Sequence, residues 1–236
     1  MIDIHTHLLF DVDDGSKSLE QSIQYLKEIQ KIGMNKVVCT PHIKSGNRER
    51  ALKIVNHFKV LREEAKKLEI DLYLGNEIMY SNETVDLLNH KKITTINHSK
   101  YVLVEFKRNE SMEFDQILLF LEGLIETGYF PILAHPELYP NYRDINKMKK
   151  IKETGTMLQV DATSLFRHYS TRKIQKFTKK LFQERLVDVV ASDSHCTKKR
   201  NFKVLKKAYH LSNRKYGKKY TNIIFYKNPF DILENN

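Results

Sequence analysis

Cysteine is scarce: the chain of 236 residues holds only Cys39 and Cys196. Two thiols make no disulfide framework, and they suit a reducing cytoplasm. Long apolar runs are missing as well. Nothing approaches the roughly 20 residues that span a bilayer, so no transmembrane segment is expected. The start of the chain lacks a basic stretch leading into an apolar one, so no signal peptide is expected either. There is no GxxxxGK[ST] phosphate loop and no paired CxxC zinc pattern. Pro/Ser-rich linkers, low-complexity tracts and internal repeats are also absent. One domain over 1–236 is the expectation, long enough for a single large core.

What is present is an ordinary apolar share, 41%, beside a high charged share, 29%, which fits a soluble globular chain. The formal net charge is +11. That excess fits an anionic partner such as nucleic acid, a phosphorylated peptide or a membrane surface. A lysine-rich proteome explains it equally well. The lysines are dispersed, with local excess at 198–200 and 214–219.

Short β-rich runs alternate with helix-length amphipathic segments. The strand candidates are MIDIH at the start, then 36–40, 71–75, 101–106, 130–135, 157–162 and 187–192. Each is a nearly continuous apolar run, the pattern of a strand buried on both faces. Helical periodicity runs from Leu19 to Ile32, Arg48 to Leu68, Phe114 to Thr127, Ile145 to Glu153 and Thr171 to Glu184. Gly33, Gly128 and Gly155 sit where helices end. Seven βα units with right-handed crossovers curl a parallel sheet into a barrel. The count is seven rather than eight, so the expected fold is an α/β, distorted TIM-like (βα)7 barrel.

The carboxyl ends of these strands carry the polar residues. They are His5 and His7, then His42, Glu77, Glu105, His135, and Asp193 with His195. In a parallel βα barrel such ends share one rim. His, Asp and Glu are the N/O donors that bind zinc, manganese and iron. This set is too large for one ion, so two or three ions sharing carboxylates are expected. Asp14 is the favoured addition, ahead of Asp11 and Asp13. The DVDDG run resembles a calcium loop but lacks the glutamate at the loop's twelfth position. The remaining histidines, His57, His90, His98, His168 and His210, read as solvent-facing. The end of strand six, at Asp161, reads as a ligand, a supporting partner or a plain loop acceptor.

HxH after strand one, Pro-His after strand two, an isolated Glu after strands three and four, AHPE after strand five and SDxH after strand seven resemble the polymerase and histidinol phosphatase (PHP) superfamily. The runs IDIHTHLLFDVDDGSKS, YVLVEF and ASDSH narrow this to the CpsB/Wzb type of bacterial capsule and exopolysaccharide tyrosine phosphatases. The resemblance covers residue 1 to about 200. It implies a PHP-type (βα)7 barrel with up to three metals, manganese first, with iron or zinc as alternatives. The implied metal ligands are His5, His7, Asp14, His42, Glu77, Glu105, His135, Asp193 and His195. The implied substrate is phosphotyrosine on the tail of a cognate bacterial kinase that controls polysaccharide synthesis. The resemblance is compatible with a homo-oligomer, since ring-shaped assemblies would suit some relatives.

One position departs from that pattern. The family commonly places Arg after the Glu of the strand-five motif, and here Leu138 stands there. A second family Arg, five residues after the last His, is present as Arg200. An Arg fork binds phosphate through two parallel hydrogen bonds, which Leu cannot. Either Arg143 or Lys44 takes over, or activity on phosphotyrosine is weaker or redirected. In the implied reaction, metal-activated water attacks phosphorus and Arg200 neutralises charge. Asp193 is a candidate acid for the leaving tyrosyl oxygen.

A thiolate phosphatase needs Cys-x5-Arg. Cys196 meets Arg200 too early, and Phe202 occupies the required position; Cys39 finds Ser45 there. The rivals are a PHP phosphoesterase acting on histidinol phosphate or another small monoester, a nuclease encouraged by the charge, and a metal-bound scaffold. Nucleases usually show basic residues with interleaved aromatics along a groove, and RKYGKKY is a short candidate for that. An amidohydrolase would show eight strands and a lysine bridging two metals.

Overall fold

The computed structural model describes residues 1–108, 112–195 and 202–234. Nine short strands occur in it: β1 (Ile2–Asp3), β2 (Lys36–Cys39), β3 (His42–Ile43), β4 (Asp71–Leu74), β5 (Glu77–Met79), β6 (Tyr101–Glu105), β7 (Phe130–Ala134), β8 (Met157–Asp161) and β9 (Val189–Ala191). All pairings are parallel, in the orders β1-β2-β4 and β3-β5-β6-β7-β8-β9. These are the seven expected staves, with the second and third each broken in two.

The breaks have local causes. After β2 comes Pro41, which has no N–H for the ladder. After β4, Gly75 passes so close to Ile96 that a Cβ would lie 3.2 Å from its Cα. Asn76 then fills the gap, donating to the Pro41 carbonyl at 3.2 Å and accepting from Thr94 N at 2.9 Å. The first stave is shorter than the expected MIDIH because a buried carboxylate interrupts it. Oδ1 of Asp3 accepts from Ser192 N at 3.0 Å and from His5 N at 3.4 Å. Beyond that point Asp193 N donates to the His5 carbonyl and His7 N to the Ser194 carbonyl, which joins the last stave back to the first.

Helices α1 (Leu19–Lys31), α2 (Arg48–Lys66), α3 (Thr84–Asn89), α4 (Phe114–Glu126), α5 (Ile145–Glu153), α6 (Arg172–Gln183), α7 (Lys203–Tyr216), α8 (Lys218–Asn222) and α9 (Asn228–Glu234) complete the chain, with a π-helical turn at 223–227. Side chains cap α1, α2, α5 and α6: Ser18, Asn47, Asp144 and Thr171 each accept from an N-terminal backbone amide. Gly33, Gly128 and Gly155 follow α1, α4 and α5 with positive φ, the conformation that ends helices most cheaply with glycine. No helix among the described residues is long and apolar enough to cross a membrane.

Two apolar clusters hold the fold. The larger lies between staves and helices, from Leu26 and Ile29 of α1 round to Leu205 and Ala208 of α7. The smaller fills the barrel interior with Ile4, Val38, Leu103, Ile132, Ala134, Val189 and Ala191. Ile232 and Leu233 of α9 join this cluster beside Ile2, so the C-terminal helix plugs the barrel at the strands' amino ends. Asn97 fixes the plug by donating to the Leu233 carbonyl at 3.0 Å. The opposite end, where the strands finish, is left for polar residues.

Candidate metal centre

At that end the barrel becomes abruptly polar. His5, His7, Glu77, Glu105, His135, Asp193 and His195 are all buried, within a fold whose staves bring their carboxyl ends together. His42 is partly buried, and Asp14 is exposed at the mouth. The nine expected side chains meet in overlapping groups. Donor atoms of His7, Asp14, His42 and His195 lie within 4.8 Å of one another, as do those of His5, His7 and Asp193. The same holds for His5, Glu77 and His135, and for His42, Glu77 and Glu105. Four residues serve two groups each, so neighbouring cation positions would share ligands.

The geometry fits cations better than it fits hydrogen bonding. Nδ1 of His42 is 2.9 Å from Oε2 of Glu77 and 2.9 Å from Oε1 of Glu105. None of these three buried atoms makes a hydrogen bond of acceptable angle within the described residues. Donor atoms that converge this closely without a well-formed hydrogen bond among them are what a divalent ion satisfies.

Several imidazoles are oriented from behind. Nδ1 of His7 lies 2.7 Å from Oδ2 of Asp13, and Nδ1 of His5 lies 2.7 Å from Oε1 of Gln159. Each acceptor holds a ring proton on Nδ1 and turns Nε2 toward the cluster, where it can bind an ion once any proton there is displaced. Gln159 is in turn held through its Nε2, which donates to Asp161 at 3.1 Å. Asp161 receives support as well: its backbone N donates to Oε1 of Glu137 at 2.9 Å.

Electrostatics follow from this crowding. Burial disfavours a charged His5, yet Glu77 and Asp193 outweigh it and push its pKa to about 9. His42 behaves alike; Glu105 and Glu77 overcome burial and raise it to about 10. At His135 burial wins over Glu77, and the imidazole is held below its ordinary value. Burial acts to raise Glu77, but His5, His135 and His42 hold its carboxyl well below the usual range. Away from the ligands, burial pushes the Glu137 carboxyl up to about 7.

The structure redraws some sequence expectations. Asp13, a less favoured neighbour of Asp14, is the carboxylate behind His7 and also accepts from Gly15 N and His42 N. Asp11 faces solvent and pairs with Lys53 at 3.0 Å. Asp161 is a supporting partner. His57 is not solvent-facing: it stacks on Phe10, with ring centroids 4.2 Å apart, and its Nδ1 is 2.9 Å from the Phe10 carbonyl. His90, His98, His168 and His210 are exposed as read. Gln159 escaped the sequence reading, although a lone polar residue inside MLQVD was a visible signal.

Above the cluster opens a cavity of about 950 Å³. Its wall includes Lys44, Arg50, Lys107 and Arg108, with Met79 and Phe106 as apolar lining. Lys44 thus reaches the cavity, whereas Arg143 is not part of its lining. Arg200 and Cys196 lie outside the described residues.

Residues 1–234 match the capsular polysaccharide synthesis family CpsB/CapC. The tyrosine-protein phosphatase CpsB of Streptococcus pneumoniae is 36% identical, over 99% of this chain and 98% of its own. The tyrosine-protein phosphatase YwqE of Bacillus subtilis is 29% identical, over 92% of this chain and 85% of its own. A crystal structure from work on YwqE and CpsB, described as metal-dependent tyrosine phosphatases, matches with a TM-score of 0.90 at 25% identity, covering 100% of this chain and 95% of that one. A phosphotriesterase of Mycobacterium tuberculosis shares the fold alone, with a TM-score of 0.62 at 11% identity, over 99% of this chain and 94% of that one. Matched along its full described length, the chain belongs to the CpsB/CapC family of capsular polysaccharide synthesis proteins.

Proposed function

We propose that the chain is a metal-dependent protein-tyrosine phosphatase acting on a kinase tail in capsule or exopolysaccharide synthesis. The observation that carries this reading is the fused donor set, in which His5, His7, His42 and Glu77 each belong to two candidate cation groups. The tyrosine phosphatase names of its relatives supply the substrate class.

Two or three ions, manganese by preference, would be held by His5, His7, Asp14, His42, Glu77, Glu105, His135, Asp193 and His195. Divalent ions in such a site supply Lewis acidity and acidify water at neutral pH. The chain's own residues do the rest. Asp13 and Gln159 keep Nε2 of His7 and of His5 aimed at the cluster. Asp193 faces the imidazoles of His5, His7 and His195 at 3.3–3.4 Å, the position of a ligand shared among them rather than of an acid aimed at a departing oxygen. A strong acid is not needed, because a tyrosyl oxygen with a phenol pKa near about 10 leaves readily. Met79 and Phe106 offer an apolar wall for the departing ring, and Lys44 offers positive charge to the phosphoryl oxygens. Arg200 is retained in the same charge-neutralising role. The whole reads as one catalytic domain working in the cytoplasm.

The test compares manganese-loaded and chelated protein on a phosphotyrosine peptide, a phosphoserine peptide and histidinol phosphate. Manganese-dependent turnover with the highest kcat/KM on phosphotyrosine supports the reading. Full turnover in excess EDTA, or a preference for histidinol phosphate, overturns it.

A further inference from the structure

A phosphomonoester brings close to two negative charges to the cavity, and cations alone do not fix the orientation of its oxygens. The wall offers four basic side chains among the described residues: Lys44, Arg50, Lys107 and Arg108. Two are already engaged. Nη2 of Arg50 donates to the His42 carbonyl at 2.9 Å. Lys107 has an interaction of its own. Of the pair that remains, Lys44 presents a point charge on a flexible stem, whereas Arg108 presents a planar fork.

Arg108 is well placed to use it. It follows Glu105 by three residues, so the end of β6 delivers a candidate metal ligand and then this guanidinium to the same cavity. Phe106 lies between them, buried to 3% exposure, and anchors the turn. Its backbone N donates to the hydroxyl of Tyr139 at 3.1 Å, which ties the turn to the rim loop after β7. Arg108 makes no hydrogen bond or ion pair within the described residues, so its donors are available to a ligand. The rim loop after β7 supplies no such group: neither Leu138 nor Arg143 lines the cavity.

We propose that Arg108 is a substrate-binding residue that clamps two oxygens of the phosphoryl group through its guanidinium fork. The proposal rests on the phosphatase reading above. It places the phosphate clamp on the turn after β6, next to an aromatic wall suited to the tyrosyl ring.

The experiment uses full-length, manganese-loaded wild type, Arg108→Ala and Arg108→Lys. Elemental analysis checks that all three carry the same metal. Calorimetry with inorganic phosphate reads binding directly, and kcat/KM on a phosphotyrosine peptide reads turnover. Arg108→Ala should weaken phosphate binding about tenfold or more and lower kcat/KM by about 100-fold. Arg108→Lys should recover only part of this, because it restores charge without the fork. Added guanidinium ion should raise the activity of Arg108→Ala and leave wild type unchanged. Wild-type values for phosphate binding and kcat/KM in both variants would overturn the assignment of Arg108. A wild type that shows no manganese-dependent turnover of phosphotyrosine would instead overturn the phosphatase reading.

Discussion

Oδ2 of Asp13 lies 2.7 Å from Nδ1 of His7, and the same oxygen accepts from the backbone N of His42 at 3.1 Å. One carboxylate therefore aligns candidate ligands from two staves. Supporting groups of this kind are typically worth about 10–100-fold in metal affinity. Asp13→Ala should weaken manganese binding by that factor, measured by calorimetric titration, and Asp13→Asn should lie in between because its amide oxygen can still accept. Wild-type affinity in Asp13→Ala would show that His7 needs no alignment.

Gln159 does for His5 what Asp13 does for His7, from inside the barrel. Its Oε1 is 2.7 Å from Nδ1 of His5, and its Nε2 is fixed on Asp161. Gln159→Leu removes the acceptor, keeps similar bulk and leaves Asp161 without that donor. The expected outcome is a manganese affinity lower by about tenfold. An Asp161→Asn variant should show a smaller loss, because it acts one hydrogen bond further away. Equal or reversed effects would contradict this order of support.

The protons stored in the cluster make metal binding pH-dependent. Without ions, burial opposes charge on His5 and His42, but Glu77 with Asp193, and Glu105 with Glu77, lift them to about 9 and about 10. Both imidazoles then hold protons at neutral pH, and a bound cation must displace them. Because the pKa values are raised, occupancy by protons persists until pH approaches those values. Manganese affinity should therefore climb steadily from pH 6 to pH 9. Calorimetry in two buffers of different ionisation enthalpy should detect proton release at pH 7. Heats independent of the buffer would refute the scheme.

Much of this arrangement was legible in the sequence because the barrel makes its periodicity visible. Phe114–Glu126 is amphipathic with Ile117, Leu121 and Leu124 buried, and its predicted bounds differ by one residue. Histidines and glutamates at strand ends converge because parallel strands must finish on one rim. The finer choices depend on contacts between distant segments. Which of Asp13 and Asp14 turns inward is settled by the amides of Gly15 and His42. His57 is drawn inward by Phe10, 47 positions earlier in the chain. The plug by Ile232 and Leu233 follows from an open barrel end rather than from any pattern in α9.

A single substitution tests cysteine catalysis. Cys39 is buried in the larger apolar cluster and does not line the cavity. Cys196 has no Arg at the spacing a thiolate loop needs. Cys196→Ser should retain kcat/KM on phosphotyrosine within about twofold, since each factor of ten corresponds to about 1.36 kcal/mol. A loss of several hundredfold would move the chemistry to sulfur.

Gly15 tests how tightly the first loop is drawn over His7. A Cβ there would fall 2.0 Å from the His7 carbonyl oxygen and 2.5 Å from its Cβ. The backbone cannot yield freely, since Ser16 N donates to that same carbonyl at 3.1 Å and Gly15 N to Asp13 at 2.9 Å. Gly15→Ala must displace either the loop or His7. Overpacking of this kind costs about 1–3 kcal/mol. For a chain of this size each kcal/mol lowers Tm by about 2–4 °C. The variant should therefore melt several degrees lower and bind manganese more weakly, because a shifted loop carries Asp13 and Asp14 with it. Ser16→Ala, which keeps the backbone and loses only a hydroxyl, should bind manganese like wild type. A Gly15→Ala protein with unaltered Tm and metal affinity would mean that the loop has room the structure denies it.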